Sequence, residues 1–197
     1  ILLSATYQRS SKPVLGNEED DRFYSRYLPR RLSAEVILDA YSQVTGVPTP
    51  FTHLDTTAKD AKVAYAGFPR GTRAMQLPDT LVSSRFLDAF GRPDRAQTCS
   101  CERSGDASVG QALHLNNGQT LNDKLRDKTS LVNKLLESKA DNAEVVRQLY
   151  RAALARDPSP TEQKRFAALM AEATDRREAV EDLFWAVLTS REFLFNR

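Results

Sequence analysis

DNAEVVRQLYRAALARDPSPTEQKRFAALMAEATDRREAVEDLFWAVL, residues 141–188, reads as three helices in succession. Three times in this stretch a short oxygen-bearing side chain is followed three positions later by glutamate: Asp141 and Glu144, Ser159 and Glu162, Asp175 and Glu178. An oxygen at the N-cap accepts one of the first-turn N–H groups that a helix leaves unpaired, and a glutamate at the third position can reach back to the N–H of the cap. Pro160, directly after Ser159, suits the first helical position, where the missing N–H is not needed. Behind each cap the apolar residues keep helical spacing. Val145, Val146, Leu149, Tyr150 and Ala153 form one stripe; Phe166, Leu169 and Met170 a second; Val180, Leu183, Phe184, Val187 and Leu188 a third. Each stripe needs an apolar partner, so the spacing predicts a helical bundle. Trp185 and the Phe184, Phe193, Phe195 group are expected in its core.

Upstream, the same reasoning predicts helices from Thr129 (Leu131, Val132, Leu135, Leu136) and from Thr120. A further helix starts from Asp106 as N-cap, carries Val109, Ala112 and Leu113, and ends near Gly118 at Asn116-Asn117-Gly118, residues that tolerate the left-handed conformation. Leu81 to Phe90 reads as a short helix closed by Gly91. Val36, Ile37, Ala40, Tyr41 and Val44 form an apolar stripe stopped by Gly46 and Pro48, and the helical pattern is expected to begin as early as Phe23. Residues 47–80 are rich in proline and glycine. Within them, Val63 and Tyr65 alternate with Met75 and Leu77 around FPRG and predict a short hairpin over Lys62 to Leu77. Residues 10–22 read as a surface loop. The opening ILLSATY is expected to be the buried end of a helix that begins before the sequence does. The fold class is therefore mainly α, a helical bundle with a small irregular or β-hairpin element near 62–78. Residues 1–126 make an N-terminal helical part, and residues 127–197 a capped bundle packed on it as one structural unit.

The chain has 197 residues, 41% of them hydrophobic and 27% charged, which suits one globular domain, or two small ones sharing a core. Lys and Arg number 28 against 26 Asp and Glu, a net charge of +2 with no basic run, which argues against nucleic-acid binding. No apolar run approaches the roughly 18 residues that would span a bilayer.

Chemistry concentrates in Phe90 to Ser104, FGRPDRAQTCSCERS. Five charged residues, Arg92, Asp94, Arg95, Glu102 and Arg103, surround the two cysteines of the chain, Cys99 and Cys101. The Cys-x-Cys pair leaves three readings open: a strained disulfide, two unpaired thiols, or a metal site completed by His53 and His114. The spacing is not that of common zinc modules, and no metal is assigned. C-x-x-C-H, the attachment sequence for covalent haem, is absent, so no cofactor is expected in this chain. His114 with Cys99 or Ser104 would be the one conceivable nucleophilic pair, and helix capping or core packing is the simpler role for it. Arg92, Arg95 and Arg103 match planar oxyanions, yet Asp94 and Glu102 are nearer partners. Glu18 to Asp21 lacks the alternating ligand spacing of a calcium loop. The expected cluster is Arg92, Asp94, Arg95, Cys99, Cys101, Glu102, Arg103 and His114, a structural knot or a binding site with no catalytic residue assigned.

These motifs also carry a resemblance. FGRPDR at 90–95, CxCER at 99–103 and QALHLNNG at 111–118 resemble the C-terminal domain of planctomycete-type proteins whose other modules include a cytochrome-c-like haem domain, a domain of unknown function. LSATYQRSS at 3–11, RRLSAEVILDA at 30–40, LYRAALARDPSPTE at 149–162 and LTSREFLFNR at 188–197 agree with it in order. The resemblance implies an extracytoplasmic setting, periplasmic or at the cell surface, and a haem-bearing neighbour.

The resulting expectation is a non-catalytic interaction or structural module of a larger extracytoplasmic, cytochrome-c-associated protein. Its partners would be a haem-bearing module and, secondarily, envelope polysaccharide. The rival readings are a polysaccharide-acting hydrolase and a metal or redox accessory domain that uses Cys99 and Cys101.

Overall fold

The computed structural model describes the chain except at residues 2, 6, 9, 21, 53–66, 78–81, 93–109, 112, 113, 115–117 and 197. The described residues are mainly helical, with no β-strand among them. We number the helices α1 (Ala34–Thr45), α2 (Arg85–Ala89), α3 (Gln119–Arg126), α4 (Leu131–Glu137), α5 (Asn142–Leu154), α6 (Pro160–Glu172), α7 (Arg176–Leu188) and α8 (Arg191–Leu194).

The helix starts follow the caps. Asp141 accepts from the N–H of Glu144, and Ser159 and Glu162 close a full capping box. Asp175 bonds one position earlier than its spacing suggests, to the N–H of Arg177. Ser130 and Ser190 cap α4 and α8 in the same manner. Gly46, at φ 74°, ends α1 in the left-handed conformation that glycine adopts without strain.

The core is built around α1 and α7. Ile37, Leu38, Tyr41 and Val44 of α1 are buried, and all five apolar residues of the α7 stripe are buried too. Val145, Val146, Leu149 and Tyr150 complete the α5 side. The α1 stripe is centred on Leu38; Val36 and Ala40 fall at its margin. α1 packs on α2, α3, α4 and α5, while α7 packs on α3, α4, α5, α6 and α8. The segment that leads into α1 meets the end of α8: Leu32 donates its N–H to Leu194 O at 2.9 Å, and Asn196 to Arg30 O at 3.0 Å.

Several expectations give way here. No residue of α6 is buried, and Leu169 is 59% exposed. Phe166 and Met170 are covered only in part. The reason is compositional: α6 has three large apolar residues among alanines and charges, too thin a ridge to be enclosed on both sides. Residues 23–33 are not helical, and α1 starts at Ala34. Pro29 and Tyr24, whose φ is 53°, break the pattern there. Ile1 and Leu3 lie fully or almost fully exposed, against the expected burial, and Leu2 lies outside the described residues.

The second arm of the expected hairpin is a 3-10 turn, Ala74–Gln76, and the first arm lies outside the described residues. Asp39 of α1 decides the matter. Its buried carboxylate accepts from the N–H groups of Ala74 (2.6 Å) and Met75 (3.2 Å), which curls the backbone at 74–76 instead of extending it. An isolated bridge joins Thr52 to Gly67.

Candidate functional site

Of the eight residues in the expected cluster, Arg92 and His114 are described; Asp94, Arg95, Cys99, Cys101, Glu102 and Arg103 lie outside the described residues, as do His53 and Asp106. Arg92 emerges just after α2. Its Nη2 donates to Val82 O at 2.8 Å and to Asp88 Oδ1 at 2.9 Å. The guanidinium thus ties the end of α2 to the segment that leads into it, and the Asp88 carboxylate answers its charge.

His114 stands edge-on to Phe86 (5.4 Å between ring centres) and Phe90 (5.9 Å). Its Nε2 lies 3.2 Å from Thr120 Oγ1, at the first turn of α3. Burial among these rings disfavours the imidazolium and lowers the pKa below its ordinary 6.5. Gly118 follows at a close approach. Its N–H donates to His114 O at 2.7 Å, and a Cβ on Gly118 would collide with that oxygen and lie 2.8 Å from the imidazole Cδ2. Glycine is needed here for space, since its φ of −70° is open to any residue. Arg31 joins the same cluster. It donates to the side chain of buried Gln111 and places its guanidinium 5.7 Å from the centre of the Phe90 ring.

Beside this cluster opens a cleft of about 670 Å³, floored by Pro48, Phe68 and Phe86 and edged by Arg70, Arg85, Asp123 and Asp127. Lys124 lies at its back, only 5% exposed. Its Nζ donates to Val47 O at 2.7 Å and to Ser42 Oγ at 3.1 Å. Burial brings the amine from 10.5 down to about 8, and the charges of Asp127 and Asp39 offset part of that drop. Lys124 therefore places a cation at the carboxyl end of α1, where the helix dipole and the free carbonyls favour one. The sequence reading missed this residue, although it had a signal: Leu121, Lys124 and Leu125 share one apolar face at i, i+3 and i+4.

A second concavity, about 590 Å³, runs between α6 and α7. Phe166, Leu169, Met170, Leu183 and Trp185 form its floor. Asp175, Glu178 and Asp182 stand on its rim, and no basic residue lines it. Trp185, expected in the core, is half-buried along this groove. Elsewhere Asp20 is an exposed turn former. The Ser25 hydroxyl and the N–H groups of Phe23 and Ser25 hold its carboxyl well below the usual carboxylate range. Among the described residues, no group of His, Cys, Asp and Glu is arranged to hold a metal, and no helix is long and apolar enough to cross a membrane.

A mainly helical domain with a polar cleft and an open apolar groove is as far as geometry alone defines the class. The chain belongs to the PSD1 family, described as a protein of unknown function (DUF1553), whose model matches residues 1–170. No curated protein and no solved structure matches the chain.

Proposed function

We propose that this chain is a non-catalytic interaction module of a larger extracytoplasmic protein, and that it docks a haem-bearing cytochrome-c-like module. The observation that carries this reading is the groove between α6 and α7. The fold leaves Leu169 exposed and Phe166, Met170 and Trp185 half-covered along one continuous trough. A contiguous apolar recess with a polar rim is the usual signature of a protein-binding surface. The sequence resemblance supplies the haem-bearing partner and the setting outside the cytoplasm. Titration calorimetry of the separately expressed haem module against this chain tests the reading. Saturable binding is expected, and no heat at the highest soluble concentrations overturns it.

A second reading, a polysaccharide-acting hydrolase, draws on the cleft beside His114 and Thr120, whose edge carries Asp123 and Asp127. Turnover of a soluble polysaccharide that is lost in Asp123→Asn or Asp127→Asn, with the melting temperature unchanged, would favour it over the module.

A further inference from the structure

The charges along α7 are unevenly satisfied. Glu181 is met by Arg177 at 3.2 Å and by Arg126 at 3.6 Å. Arg177 also reaches Asn133, and Arg176 turns to Ala140 O and Asn142. The basic residues at the start of α7 are thus spent on the side facing α4 and the start of α5. Glu178 and Asp182 remain, one turn apart on the groove side, exposed and with no cation from the described residues. Two like charges at i and i+4 repel each other along a helix face, a repulsion that a bound cation relieves. With Asp175 they make every charged residue that lines the groove acidic, above an apolar floor.

We propose that the groove between α6 and α7 seats a cationic amphipathic helix from a partner chain. Its apolar face lies on Phe166, Leu169, Leu183 and Trp185, and its Lys or Arg side chains lie over Glu178 and Asp182. The inference rests on the interaction-module reading and names the chemistry of the occupant. A trough between two consecutive helices accepts a third helix by the same ridge-and-groove packing that holds the bundle together. α6 and α7 have 13 residues each, so the trough is about 20 Å long and matches roughly three to four turns. Nucleic acid and anionic lipid are repelled by the rim. A second copy seated groove to groove would set acid against acid.

The probe is a synthetic peptide of about 14 residues, Leu on one helical face and Lys on the other, free of tryptophan, with a Glu-for-Lys version as control. Trp185 is the only tryptophan of the chain, so its emission reports from the groove itself. The cationic peptide should shift that emission saturably. Its affinity should fall at least tenfold with Leu169→Asp, and several-fold with the Glu178→Gln, Asp182→Asn double variant or with added salt. Circular dichroism checks that both variants remain folded; exposed Leu169, Glu178 and Asp182 leave the core untouched. Equal affinity for the two peptides, no shift at all, stacking of a neutral oligosaccharide on Trp185 in place of peptide, or self-association abolished by Leu169→Asp would each overturn the proposal. The two readings fail separately. Haem-module binding that survives Leu169→Asp removes the groove assignment alone, while peptide binding without haem-module binding removes the haem partner alone.

Discussion

Arg156 and Glu162 form a two-bond fork, Nη1 to Oε2 at 2.9 Å and Nη2 to Oε1 at 2.8 Å. The same guanidinium makes a second fork to Glu192, with Nε and Nη2 each 2.9 Å from its oxygens. The Tyr150 ring lies beneath it, 5.0 Å away. One side chain from the loop after α5 therefore fixes the start of α6 and the start of α8. Glu162 has a second duty, since its Oε2 accepts from the N–H of Ser159 at 2.7 Å and completes the capping box.

From that junction comes the first prediction. Arg156→Ala should lower stability by about 1–3 kcal/mol, because charge-assisted forks that are partly shielded from water exceed ordinary surface pairs. Ser159→Ala should cost about 1 kcal/mol, the scale of a lost cap. Hydrogen bonds from Arg156 hold the Glu162 carboxyl far below its ordinary 4.5. A depressed folded pKa means stability that is fully present above the ordinary value and is lost as the pH falls below it. Melting curves between about pH 3 and 7 should show a smaller acid-side loss for Arg156→Ala than for the wild type. A parallel loss in both would remove the network from the acid response.

How far the fold was legible depends on the range of the cause. The caps at Asp141, Ser159 and Asp175 act within one turn, so spacing alone exposes them, and the α7 stripe is long enough to show its period. The 3-10 turn at Ala74–Gln76 is set by Asp39, thirty-five residues away, and nothing local distinguishes it from an extended arm. Ala155 is similar: α5 ends on an alanine at φ 53°, where a glycine would have been readable. At the site, Val82, Asp88 and Thr120 lie only four to ten residues from Arg92 and His114 in sequence, but no spacing rule singles them out as the groups those two side chains meet. The α6–α7 groove was hidden for the opposite reason. Phe166, Leu169 and Met170 have the right spacing, and a periodic stripe carries no information about whether a partner helix covers it.

Tyr41 tests how tightly the core is specified. It is 1% exposed, stacked on Phe193 and edge-on to Phe86, each ring centre 5.7 Å away. Its hydroxyl has no hydrogen-bond partner among the described residues. A buried hydroxyl left unpaired costs free energy that the ring packing has to offset. Tyr41→Phe keeps the packing and deletes the burdened group, so it should be neutral or stabilising by up to about 1 kcal/mol. Chemical denaturation checks it, and a loss above about 1 kcal/mol would mean that the hydroxyl is satisfied in solution.

Lys124 supplies the last prediction, because its charge works in two directions. Its donors close Val47 O and Ser42 Oγ at the end of α1, which stabilises the junction of α1 and α3. Its burial opposes that gain and brings the amine from 10.5 to about 8. The sign follows from proton counting. Between those values the unfolded chain binds a proton at this residue that the folded chain has released, so stability rises with pH across the interval. Below about pH 8 the desolvation penalty is fully present; above about 10.5 it is gone. Other groups titrate in the same range, so the test is a difference. Wild type and Lys124→Met are denatured side by side from about pH 7 to 10.5. The wild type should gain stability relative to the variant as the pH rises. Lys124→Met should itself be destabilised by about 1–3 kcal/mol at alkaline pH, where Val47 O and Ser42 Oγ lose a donor that no longer carries its penalty. At pH 7 the gap between the two proteins should be smaller, because removing a buried charge partly compensates for the lost hydrogen bonds. A gap that is constant with pH would place the Lys124 amine in contact with solvent and dissolve the case for it as the buried end-piece of α1.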